Sequence, residues 1–174
     1  MKRLIFYLLK TLAFISRSLS INLYMKVLMK AHETVGVRFD GKPEYIQADA
    51  YLDGSGGLTI SEGAVISTKV IILTHDWSFL KRINCPPSAS YNERAYKSVS
   101  IGMNSFIGAG AIVLPGSHIG RHCIVGAGAV IKGIIPDYSI VIGNPCKIIG
   151  DTRDNRKSSS KNSHTIASHP DNLT

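Results

Sequence analysis

The sequence predicts an all-β solenoid, a parallel β-helix of about five coils, preceded by a helical extension. Three observations predict it. From residue 101 the chain divides into sixes: IGMNSF, IGAGAI, VLPGSH, IGRHCI, VGAGAV and IKGIIP. The first position of each is Ile or Val, at 101, 107, 113, 119, 125 and 131, and the fifth is small through Ser105, Ala111, Ser117, Cys123 and Ala129. The same register runs upstream from Ile60, Ile66 and Ile72, with Ile46 and Leu52 as earlier traces.

A period of six fits neither the 3.6 of a helix nor the plain alternation of a strand. It fits a short strand and a turn, three of which close one coil of about 18 residues. The aliphatic first residue is expected to point inward and stack on its counterpart in the next coil. Each such burial is worth about 1.5–3 kcal/mol, so the column sustains the fold without a conventional core. The small fifth residue suits a tight corner, and the glycines at 102, 108, 120 and 126 are read as supplying corner flexibility. Cys123 occupies a small-residue slot and reads as a buried hydrophobe.

Ahead of the repeat, residues 1–32 form a basic amphipathic helical extension. Leu4, Leu8, Leu12, Ile15 and Leu19 share one helical face, while Arg3, Lys10 and Arg17 recur every seven residues as a basic stripe. Ser18, Ser20 and Asn22 mark a break before a second helix at roughly 22–31. Lys10, Arg17 and Lys26 interrupt every stretch that could span a bilayer, and the apolar run of residues 4–9 is too short for a signal peptide. Two roles stay open for the apolar face: capping the open end of the solenoid, or lying on an anionic membrane.

The formal net charge of +8 invites a nucleic-acid reading, and its distribution removes it. Residues 1–32 carry six basic residues and no acidic one, whereas residues 33–150 carry ten basic and nine acidic. The repeat domain is nearly neutral, and no nucleic-acid partner is expected. Three cysteines make a disulfide framework improbable and favour a reducing, cytoplasmic setting, on the inner face of the membrane if the extension binds there. The domain expected over 33–150 loses its register between Trp77 and Val99, so a protruding loop is expected over 78–97, of a length that is often functional. Residues 151–174 are polar and Ser-rich and read as a disordered tail.

The run IGMNSFIGAGAIVLPGSHIGRHCIVGAGAVIKGIIPDYSIVIGNPCKII resembles hexapeptide-repeat acyltransferases, the left-handed β-helix enzymes, and within them the maltose, galactoside and polysaccharide O-acetyltransferases. The resemblance covers residues ~46–149, and the closing segment 135–149 is its most specific part. It implies left-handed coils, a homotrimer with active sites between subunits, and acetyl transfer from acetyl-CoA to a hydroxyl of a sugar or glycan. It also implies one catalytic His just after a hexad strand, a place held by His75 in ILTHDWSF. A neutral imidazole, with an ordinary pKa near 6.5, can take a hydroxyl proton at neutral pH. Asp76 is a weak candidate to orient it, because neighbours on a strand point apart.

By the same resemblance, the backbone N–H of Ala109 matches an oxyanion donor and Ala127 a contact to the pantetheine arm. Lys132 stands near a cofactor-binding Lys position, shifted by one, and Lys147 matches a closing basic residue. Gly150 replaces a second one. No metal is expected; His118 and His122 read as outward polar residues. The alternatives are a non-catalytic solenoid scaffold, or an acetyltransferase acting on serine or an amino-sugar nitrogen.

Overall fold

A computed structural model describes residues 1–81 and 95–154. Two helices, α1 (Lys2–Ser16) and α2 (Ile21–Thr34), precede fifteen short strands. The break between the helices falls at the serines, and the Ser20 backbone is extended.

The strands stack into three sheets that form the faces of a prism. Face one is β1 (Val37–Asp40), β4 (Leu58–Ser61), β7 (Val99–Ile101), β10 (His118–Ile119) and β13 (Ile134–Ile135). Face two is β2 (Tyr45–Ile46), β5 (Val65–Ile66), β8 (Phe106–Ile107), β11 (Ile124–Val125), β14 (Ser139–Ile142) and β15 (Lys147–Asp151). Face three is β3 (Tyr51–Leu52), β6 (Ile71–Ile72), β9 (Ile112–Val113) and β12 (Val130–Ile131). Each coil visits the faces in turn, giving about five coils that match a left-handed β-helix. All pairings are parallel except β14 with β15, which closes the last coil as an antiparallel hairpin.

The inward column is the one the hexads specify. Ile60, Ile66, Ile72, Ile101, Ile107, Val113, Ile119, Val125 and Ile131 are buried, in register with Ile46 and Leu52 of the first coil. The fifth-position residues Ser105, Ala111, Ser117, Cys123 and Ala129 are fully buried. The Cys123 thiol sits in the interior against the Pro136 carbonyl, and burial pushes it up from its ordinary pKa.

The corner geometry differs from expectation. The glycines in second position do not adopt positive φ; a Cβ on Gly102 would stand 2.4 Å from the Gly120 carbonyl carbon. They are small because adjacent coils touch there. The left-handed backbone falls instead on the fourth position, at Gly63, Lys69, Asn104, Gly110, Gly116, His122, Gly128 and Tyr138.

Helix α2 closes the open end of the first coil. Tyr24, Met25 and Leu28 are buried in one cluster with Val37 and Ile46, and the Tyr24 hydroxyl donates to the Ile46 carbonyl at 2.6 Å. The apolar face of α1 does not cap. Leu4, Leu8, Leu12, Ile15 and Leu19 are exposed, while Ala13 and Ser16 turn inward. Of the basic stripe, Arg3 and Arg17 are exposed and Lys10 is half-buried, and the Arg17 guanidinium lies over the Tyr24 ring. Two further expectations are bounded. Most of the loop expected over 78–97 lies outside the described residues, as does the tail from 155. Residues 151–154 are not disordered: Asp151 ends β15, and Thr152 donates from its N–H to the Tyr138 carbonyl at 2.8 Å and from its hydroxyl to the His122 carbonyl at 2.9 Å.

Candidate active site

His75 lies three residues past β6, at the edge where face three gives way to the next coil. The chain leaves there through a turn at Ser78–Lys81. It returns at 95–97, where the Asp76 N–H donates to the Ala95 carbonyl and the Lys97 N–H to the Thr74 carbonyl, each at 2.8 Å. This small antiparallel bridge fixes the backbone on both sides of His75. Tyr96 stands with its ring 6.0 Å from the imidazole and 5.7 Å from the Trp77 ring.

The partner of His75 is Asp53, one coil below. Imidazole Nδ1 is 2.6 Å from Asp53 Oδ2. Asp53 is 7% exposed and accepts four further bonds. Its Oδ1 takes the Ser55 N–H at 3.0 Å and the Ser55 hydroxyl at 2.6 Å. Its Oδ2 takes the Thr74 N–H at 2.9 Å and the Thr74 hydroxyl at 2.8 Å. Burial alone would raise the carboxyl. The bonds from Ser55 and Thr74 outweigh it and hold Asp53 below the usual carboxylate range. An ionised carboxylate only accepts, so Nδ1 carries the proton and the Nε2 lone pair is left available. Nε2 has no hydrogen-bond partner among the described residues. The His75 side chain is 34% exposed, so that lone pair is accessible.

The segment Asp53–Gly57 (DGSGG) makes this arrangement possible. Its Ser55 bonds back to Asp53, and the Gly56 N–H donates to the Thr74 hydroxyl at 2.8 Å. A Cβ on Gly56 would lie 2.3 Å from the Thr74 carbonyl oxygen. Asp76, the orienting candidate from sequence, instead accepts the Ser78 N–H at 2.8 Å in a local turn.

The proposed cofactor residues divide between two edges. Ala109 and Ala127 stack at the edge between faces two and three, joined by the Gly128 N–H donating to the Ala109 carbonyl at 2.9 Å. The N–H groups of both alanines have no partner among the described residues. Lys147 belongs to the same edge: it opens β15 opposite Ile142, which packs over Gly126. Lys132, just after β12, lies at the His75 edge two coils further on, and both lysines are exposed. A single chain therefore separates His75 from the alanine edge by one side of the prism. That side is one hexad, roughly 15–20 Å. Among the described residues no group of three or more metal-ligating side chains forms; His118 bonds to Ser100 at 3.0 Å and His122 stacks on Tyr138.

The register and coil geometry define a hexapeptide-repeat solenoid. Residues 98–133 match the family model described as bacterial transferase hexapeptide (six repeats). A Staphylococcus aureus protein provisionally named an acetyltransferase is 32% identical over 130 residues, covering 72% of this chain and 61% of that protein. An Escherichia coli protein provisionally named a lipopolysaccharide biosynthesis O-acetyl transferase is 35% identical over 98 residues, 53% of this chain and 49% of that one. The chain thus spans about three-fifths of the first relative and half of the second. Galactoside acetyltransferase in complex with coenzyme A superposes with a TM-score of 0.58 at 18% identity, covering 96% of this chain and 88% of that chain. At that identity the likeness is one of fold.

Proposed function

We propose that this chain is an acetyl-CoA-dependent O-acetyltransferase acting on a hydroxyl of a sugar or glycan. The observation that carries the reading is the His75–Asp53 pair, which leaves Nε2 as a free base at a rigid coil edge. The names of the Staphylococcus and Escherichia relatives support the acyl group and the acceptor class.

The sugar hydroxyl gives its proton to His75 Nε2 as its oxygen attacks the thioester carbonyl. Asp53 holds the imidazole in the required tautomer and balances the imidazolium that forms. The oxyanion is held by the Ala109 N–H, a donor that needs no reorganisation. Collapse of the intermediate breaks the C–S bond, and the CoA thiolate takes the proton back from Nε2. Ala127 contacts the pantetheine arm, and Lys147 and Lys132 serve the nucleotide phosphates. No metal takes part.

Base and oxyanion donor must both lie within hydrogen-bond reach of the reacting atoms. One chain holds them a prism side apart, so a second copy completes the site. The outer faces support a homotrimer. Face two presents Tyr45, Val65, Phe106, Ile124 and Ile140 in one outward column, and face three presents Tyr51, Ile71, Ile112 and Val130. Face one presents Arg38, Thr59, Ser100 and His118, a column that is polar until Ile134 in its last coil. Apolar columns on two faces flank the alanine edge and are the surfaces a partner copy covers.

We read the exposed apolar face of α1 as a peripheral contact with an anionic membrane, given the six basic residues and no acidic one in 1–32. No helix of the described residues is long and apolar enough to cross a membrane.

The test is acetyl-CoA consumption against a panel of mono- and oligosaccharides, with serine and amino sugars included. Transfer to a sugar hydroxyl supports the reading. Tight CoA binding with no transfer to any sugar would favour a scaffold, and transfer to nitrogen alone would reassign the acceptor.

A further inference from the structure

A cavity of about 440 Å³ lies between α1, the end of α2 and the first coil, and the catalytic mechanism above does not use it. Its walls include Arg3, Tyr7 and Lys10 from α1, His32 from α2, and Asp53 and Ser55 from the first coil. Ser55 ties it to the site, since its hydroxyl bonds to Asp53 and lies 3.4 Å from His75 Nδ1.

Three side chains of the lining have no ion-pair or hydrogen-bond partner among the described residues, although Lys10 lies over the Phe6 ring and is near the charge of Asp49. Arg3 and Lys10 form no ion pair with a described residue, although Lys10 is half-buried. His32 is 1% exposed, and neither ring nitrogen has a hydrogen-bond partner. Leaving a buried polar group unpaired is costly, and a polar occupant would recover that cost. Burial, and after it the neighbouring Lys10, lower the His32 imidazole to about 4, so it stays neutral and offers one donor and one acceptor. The one acid in the lining, Asp53, is saturated by its five bonds. Beside that hydrogen-bonded carboxylate the lining offers two cations, hydroxyls and a neutral imidazole.

We infer that this cavity is an acceptor subsite for the phosphate or pyrophosphate of a phosphate-linked sugar, bound by Arg3 and Lys10 with His32 against its polar atoms, so that the sugar reaches His75 past Ser55. The inference rests on the transferase reading and narrows its acceptor to sugars carried on phosphate. Arg3 and Lys10 stand seven residues apart on α1, about 10 Å along the helix. Two cations so spaced suit an extended diphosphate better than one compact carboxylate. The volume falls within the ordinary range for small-molecule pockets, roughly 300–1,000 Å³.

The test uses inorganic pyrophosphate, titrated by calorimetry into full-length protein already saturated with CoA, so that the donor site is filled. The expected result is one site per chain, with affinity at least tenfold weaker in the Arg3→Gln/Lys10→Gln double variant and CoA affinity unchanged. His32→Phe, which keeps the ring and removes both nitrogens, should weaken pyrophosphate several-fold. Uridine diphosphate and geranyl pyrophosphate in the same titration tell a nucleotide carrier from a lipid one. No binding by wild type, or equal binding by the double variant, overturns the inference. Acetylation of neutral sugars without pyrophosphate binding would remove the subsite and keep the transferase. Pyrophosphate binding at these residues without transfer to any sugar would do the reverse.

Discussion

Asp53 Oδ2 accepts a hydrogen bond from His75 Nδ1 at 2.6 Å, across the boundary between the first and second coils. The carboxylate is held by bonds from Ser55 and Thr74, so the imidazole is set against a fixed acceptor. In the proposed mechanism the pair makes this histidine an oriented base.

Asp53→Asn tests that orientation. An amide cannot accept all five bonds, and its NH₂ would face the Nδ1 proton or force the other tautomer. The expected outcome is a fall in kcat of about 10²–10⁴-fold, the scale of a lost general base, with the KM for acetyl-CoA unchanged. Steady-state kinetics in both substrates checks it.

The same carboxylate makes stability depend on pH. Its folded pKa lies below the ordinary value of about 3.9. A depressed carboxyl contributes stability that is fully present above the unfolded pKa and is lost as pH falls toward the folded one. Thermal melts should show wild type well above Asp53→Asn at pH 6–7, with the gap narrowing below about pH 4.

Ile124 lies in the outward apolar column of face two, with Phe106 and Ile140 on either side. Its substitution by Asp leaves the inward column untouched. Sedimentation should give a trimer for wild type and a monomer for Ile124→Asp, and the monomer should not turn over because its site lacks the partner's edge. A monomeric wild type with full activity would remove the shared site.

The exposed face of α1 makes a separate prediction. Leu8→Ser/Leu12→Ser alters side chains that are exposed, so folding should be unaffected. Cosedimentation with vesicles containing anionic lipid should fall several-fold against wild type. Unchanged binding would leave the face to another partner.

The hexads made the solenoid legible because inward stacking repeats the same chemistry at the same spacing, from Ile60 to Ile131. His75 was legible through its place at the end of a strand and the resemblance built on it. Asp53 was not. It sits 22 residues upstream in DGSGG, where the repeat has only Ile46 and Leu52 to set its register, and Asp76 stood closer in sequence. The pairing of Leu52 with Ile72 was the available signal, since it places the residues that follow each of them side by side. Spacing alone does not tell a corner from a contact between coils, so the second-position glycines look like turn formers in the sequence. The direction of α1 escaped for a related reason. Helical periodicity defines a face but not what the face meets, and the partial burial of Lys10 depends on how α1 packs on α2.

The most direct measurement of the central claim is acetyl transfer by His75→Ala, with CoA binding and sedimentation as controls. The account predicts that kcat falls about 10²–10⁴-fold while CoA affinity and oligomeric state stay those of wild type. Turnover within a few-fold of wild type would contradict it.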